Sequence, residues 1–193
     1  MSTRQNRKAP TERRAAALRH TRILCLAAFL AALSFLLGLI AKTLQGTGPL
    51  RLTFEGLPVV FAGITLGPVA GAAVGILADL LSCLLSGQSP LPLITVGAAL
   101  VGLAPGILAR LLRRGGRPLA APMRFPLVLL LDGVAHALGS VIVKSLALSA
   151  FYGFDTLLLR LPIYVGIVLL ESYLLYALLR APLVRRELER LLK

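Results

Sequence analysis

Tryptophan is absent from the 193 residues, cysteine occurs only twice, and acids number eight. Cys25 and Cys83 stand too far apart for a CxxC motif and have no histidine nearby, so no thiolate metal centre or redox pair is expected. Both fall inside apolar runs, where a thiol is usually a buried, inert hydrophobe. No GxxxxGK phosphate loop occurs, so the chain does not itself hydrolyse ATP. GxSxG and HExxH are also missing. An intramembrane enzyme would have to work through Asp132 and His136 alone, so the expectation is no enzyme, no resident cofactor and no metal. Long polar stretches are the last absence. With 57% hydrophobic residues and a mean hydropathy of +0.85, the class is an all-α integral membrane protein.

What charge there is lies in blocks. The chain carries 21 Lys+Arg against 8 Asp+Glu, a formal charge of +13. Seven cations lie in residues 1–22, five in 110–124 and five in 180–193, each block flanking an apolar run. The positive-inside rule accounts for such placement better than phosphate binding does, so no nucleic-acid partner is expected. The length suits one membrane domain of about six spans at roughly 20 residues each. Residues 1–22 read as a disordered or surface-lying basic cytoplasmic tail, 23–180 as a six-helix membrane domain and 181–193 as a basic cytoplasmic C-terminus. An even number of spans puts both termini and the Arg-rich loop on one side. A cleaved signal peptide fits the start poorly, because the first apolar run has 19 residues and AKTLQ offers no small-x-small site.

The most unusual stretch is Arg51 to Ser82. Glu55–Leu66 and Pro68–Leu85 are two apolar segments joined by Gly67-Pro68, a turn signal. Together they give only about 46 Å of helix for two crossings of a roughly 30 Å core. At least one must fall short, which leaves a recess. Leu93–Leu112, Phe125–Ala150 and Leu158–Leu179 supply the later spans. On the first span, Ala27, Ala28, Ala31 and Ala32 make two overlapping Ala-xxx-Ala pairs, which permit close helix contact.

Polar residues inside the bilayer are costly and face a cavity or a partner. Asp132, His136, Ser140 and Lys144 recur every four residues and trace one drifting helical stripe. Glu171 falls at a similar depth to Asp132 and His136 on the last span. These three form either a hydrogen-bonded structural cluster, a proton relay or a contact with a partner subunit. Asp79 reads as another structural polar residue. Nearer the outer side, Arg51, Lys144 and Arg160 are opposed only by Glu55 and Asp155. Surplus cations beside a recess point to an anionic ligand, most simply a carboxylate, with Phe54, Phe151 and Tyr152 packing its apolar part. Interfacial snorkelling of Lys144 and Arg160 is the competing reading.

RLTFEGLPVVFAGITLGPVAGAAVGILADLL resembles the signature of the vitamin-binding S components of energy-coupling factor (ECF) importers. VGAALVGLAPGIL, SAFYG and LLRLPI extend the likeness over most of the chain, nearest to the folate-type group. The resemblance implies six helices with cytoplasmic termini and a vitamin site in the outer half. It also implies docking on a transmembrane T component driven by two ATPase subunits, which use the ATP, in a prokaryotic plasma membrane. It assigns Ala27, Ala28, Ala31 and Ala32 to the T-component face, and Arg51 and Arg160 to the vitamin's surroundings. Lys144, Ser145, Leu146 and Ala147 stand where folate-type members carry Asn-Thr-x-Trp, so a smaller carboxylate such as pantothenate stands beside folate. A stand-alone proton-coupled carrier using Asp132, His136 and Glu171, and a non-transporting scaffold, are the other functions considered.

Overall fold

In lipid, every backbone N–H and C=O must be satisfied within its own segment or its neighbours, so apolar runs of this length coil into helices. The computed structural model describes residues 5–45, 54–87, 89–112, 123–152 and 155–192, with side chains at 18–44, 54–87, 89–112, 123–149 and 162–190. The described residues form helices α1 (Gln5–Gln45), α2 (Gly56–Leu66), α3 (Pro68–Leu85), α4 (Pro92–Leu112) and α5 (Phe125–Ala135). A π-helical segment (His136–Lys144) leads from α5 straight into α6 (Ser145–Tyr152), followed by α7 (Asp155–Arg180) and α8 (Pro182–Leu192). Among the described residues five stretches are long and apolar enough to cross a membrane: 18–44, 68–85, 92–112, 125–149 and 162–180. The protein is a multi-pass, all-helical membrane protein among its described residues. α2 is also apolar but has only 11 residues.

Gly67 separates α2 from α3 at φ 108°, a left-handed conformation that a side chain would strain. Pro68 then occupies the first turn of α3, where its missing N–H costs nothing. The returning pair packs with α4 almost backbone on backbone. A methyl group on Gly71 would lie 2.5 Å from Gly63 Cα and 2.6 Å from Gly102 O. Small residues at such crossings are what membrane helices use in place of a hydrophobic driving force. Around this crossing the core collects Val59, Val60, Ile64, Val74, Val101, Val128, Leu131 and Leu175.

Two expectations need correction. The basic segment read as disordered or surface-lying is helical from Gln5 and runs unbroken into the first apolar stretch. Nothing between Arg22 and Ile23 interrupts helix propensity, so the membrane boundary is not a helix boundary. The C-terminal basic segment, for which only charge and side were expected, is the helix α8, with Leu188 buried and Val184 packed against the core. Cys25 is exposed on the outer surface of α1 rather than buried. A lipid-facing thiol is as apolar a choice as a buried one.

Candidate functional site

The polar stripe on α5 and the π segment meets α7 at one buried point. Asp132 and His136 lie one turn apart on the same helical face, and Glu171 and Ser172 reach them from α7. His136 Nε2 is 2.6 Å from Glu171 Oε2 and 3.6 Å from Asp132 Oδ1. Ser172 Oγ donates to Asp132 Oδ2 at 2.9 Å. Asp132, Glu171 and Ser172 are 0% exposed and His136 is 4% exposed. The cluster is nonetheless unfinished. Asp132 Oδ1, His136 Nδ1 and Glu171 Oε1 are buried without a hydrogen-bond partner among the described residues. Each such orphan costs about 1–3 kcal/mol, and more where the group is charged.

The start of α2 closes the cluster from the side. A methyl on Gly56 would lie 2.8 Å from His136 Cε1 and 3.0 Å from Glu171 Oε2, so any side chain there would push into the His136–Glu171 contact. Just before it, the Glu55 carbonyl accepts a 2.6 Å hydrogen bond from Ser34 Oγ of α1. The Glu55 carboxylate lies against Gly38 and pairs with Lys144 Nζ at 3.6 Å. At the other end of α2, Gly67 sits against the Arg110 guanidinium, near the end of α4. α2 therefore rises only about 16 Å from the Arg110 level to the buried cluster. Meanwhile α1 continues beyond Gly38 to Gln45, roughly another 10 Å. The acid–histidine cluster thus lies at the level where α2 begins and its longer neighbours carry on.

Several sequence-predicted residues separate at this point. Asp79 stands apart from Asp132, His136 and Glu171, accepting a 2.6 Å hydrogen bond from Thr95 Oγ1 across the α3–α4 interface. Beside it Ile76, Leu80, Pro90, Pro92, Thr95, Val96 and Ala99 line an open apolar groove, and none of the predicted ligand residues borders it. Lys144 is not a surplus cation, because Glu55 opposes it directly. Phe54 is half-buried, its carbonyl receiving Leu57 N at 3.2 Å. Arg51 lies outside the described residues, as do the side chains of Phe151, Tyr152 and Arg160. The alanines of α1 split into two faces. Ala31 is 2% exposed in the core with Ala27 beside it, whereas Ala28 and Ala32 face outward between Leu24 and Leu36. Ala31 is thus corrected from a partner-facing residue to a core residue, since the four alanines spread over about 140° of the helix and Ala31 lies toward the edge of that arc turned to the core.

Sequence reasoning missed Ser34, Gly56, Thr95 and Ser172. Only Ser172 carried a signal, a second polar residue directly after Glu171 deep in an apolar run. The others gain meaning only from their partners in space.

The buried acid–histidine cluster, the glycine-packed α2–α3–α4 core and the truncated α2 do not by themselves name a family. The family model described as ECF transporter, substrate-specific component, matches residues 22–185. The chain belongs to that family. Searches of curated proteins and of solved structures returned no match. As an S component the chain is part of a transporter rather than an enzyme, and its family implies T and ATPase components and a small substrate. The match begins at Arg22, so it covers the apolar part of α1 and omits the basic helical extension.

Proposed function

We propose that this S component captures a small anionic vitamin, folate-like or pantothenate-like, and delivers it to a T component and two ATPase subunits. The family match over residues 22–185 is the observation that carries this reading. The chain crosses the membrane six times, α2 and α3 together serving as a short pair. Both termini and the 110–124 loop lie in the cytoplasm of a prokaryotic cell, because the basic blocks then share one side. With that orientation the start of α2 lies near mid-depth, and the outer level it vacates is where the vitamin binds. Arg51 and Arg160 grip the carboxylate, Phe54 and Tyr152 cover its apolar part, and Glu55 with Lys144 forms the charged edge. The outward stripe Leu24–Ala28–Ala32–Leu36 supplies the T-component contact, its two alanines admitting a partner helix closely.

The test is uptake of labelled folate and pantothenate by proteoliposomes. Expected is ATP-dependent uptake only when the T and ATPase subunits are reconstituted together with this chain. Robust uptake by this chain alone, abolished by a protonophore, would replace this reading with the proton-coupled carrier. Native mass spectrometry of the purified chain identifies which vitamin travels with it.

A further inference from the structure

We propose that Asp132, His136 and Glu171 form an intramembrane binding site for one divalent first-row transition-metal ion. Their donor atoms all lie within 4.8 Å of one another and all three residues are buried. Metal–nitrogen and metal–oxygen bonds of about 2.0–2.2 Å place neighbouring donors roughly 3.0–3.5 Å apart around one ion. The cluster brackets that spacing, with His136 Nε2 2.6 Å from Glu171 Oε2 and 3.6 Å from Asp132 Oδ1, so small side-chain shifts suffice to seat an ion. Two donors share one helical face at i and i+4, and the third comes from a facing helix. That is how metal sites are built into helical bundles.

The orphaned atoms point the same way. Asp132 Oδ1 has no partner yet faces His136 Nε2 at 3.6 Å, across the centre of the cluster. Ser172 holds the other oxygen, Oδ2, at 2.9 Å. Its hydroxyl thus orients the carboxylate from behind and leaves Oδ1 free, the arrangement expected of a residue supporting a metal ligand. Glu171 Oε1 is also unpaired and lets the carboxylate bind through either oxygen.

Charge agrees. Two carboxylates face one imidazole, so with both acids ionised even a protonated His136 leaves one negative charge in excess. A divalent ion with a neutral imidazole brings the sum to zero. Lys144, the cation further along the same stripe, is already opposed by Glu55 and adds no net charge as a pair. On binding, the proton shared in the 2.6 Å His136–Glu171 contact leaves for solvent, and the imidazole nitrogen and the carboxylate take the ion in its place. Proton release on metal binding follows from that exchange. One imidazole with two carboxylates and no sulfur suits Mn2+, Fe2+, Co2+, Ni2+ or Zn2+. Mg2+ and Ca2+ prefer all-oxygen sites. The inference is independent of which vitamin the S component carries.

The experiment uses the full chain in detergent, purified on a tag without histidines, stripped with chelator and titrated with Zn2+ and Co2+. Expected are one bound ion per chain by elemental mass spectrometry and a Co2+ visible spectrum of low-symmetry nitrogen–oxygen coordination. Affinity should fall at least about tenfold in Asp132→Asn, His136→Gln and Glu171→Gln, and by about 10–100-fold in Ser172→Ala, which keeps every donor. His20→Ala should bind like the wild type. If a donor variant does not fold, the wild-type Co2+ spectrum and the Ser172→Ala affinity still decide. A stripped wild type that takes up no ion overturns the proposal. So does uptake unchanged in all the folded cluster variants.

Discussion

Substituting Gly102 by alanine tests whether the α3–α4 crossing depends on the missing side chain. The added methyl would press on the Gly71 carbonyl and lie 2.9 Å from Ala72 N, where ordinary contact begins at 3.4 Å. All of these atoms are backbone, so no rotamer change relieves the clash, and the two helices must part by about half an ångström or more. Overpacking of that kind costs about 1–3 kcal/mol. It falls on a membrane interface held together mainly by such contacts. Gly166→Ala is the matched control, because nothing lies within 4 Å of that position. There the helix-propensity gain of roughly 1 kcal/mol is an upper bound, since the detergent-denatured state is itself helical. Reversible unfolding in mixed micelles of increasing SDS fraction measures both. Gly102→Ala should lower the midpoint clearly while Gly166→Ala leaves it unchanged or slightly raised. Equal midpoints for the two variants would refute the close-packed crossing.

Other residues give separate readouts. Thr95→Val should destabilise by about 1 kcal/mol by leaving Asp79 unpartnered, and Asp79→Leu in the same chain should restore part of the loss, as a double-mutant cycle in SDS would show. Ala28→Trp should cut coupled uptake about tenfold or more, a loss of roughly 1.4 kcal/mol in docking, with ligand affinity within twofold of wild type in a binding titration. Ala31→Trp should instead destabilise the fold itself, because that side chain is buried. In the same titration Arg160→Ala should weaken vitamin binding several-fold more than Lys144→Ala does, since Lys144 already has Glu55 opposite it.

The helical segments were legible because hydrocarbon leaves an apolar run few alternatives. The Gly67-Pro68 break and the shortness of the segment before it were legible too, since glycine and proline act locally. The shared stripe of Asp132 and His136 and the similar depth of Glu171 followed from four-residue spacing and a comparison of depths, but which acid pairs with His136 did not. What could not be read was anything that depends on a neighbour's direction. Four alanines in a row of small residues look equivalent in sequence, yet Ala31 is buried while Ala28, about 60° round the same helix, is exposed. Lys144 counts as a free cation until Glu55, 89 positions earlier, is seen beside it. The helical course of the basic segment was missed because polarity marks the membrane boundary and says nothing of where a helix starts.

The Gly63–Gly71–Gly102 crossing has a mechanical consequence. Side chains that interdigitate can slide or change rotamer, but peptide planes pressed together have no such freedom. α2, α3 and α4 therefore behave as a stiff block, and Gly97, where an added methyl would lie 2.7 Å from Gly139 O, extends that block to the π segment. Among the described residues α7 has no comparable weld, its Gly166 having nothing within 4 Å. It meets the rest through larger side chains and the polar cluster at Glu171 and Ser172. A displacement of α7 therefore meets less backbone resistance than one within the α2–α3–α4 block, and it is felt at that cluster.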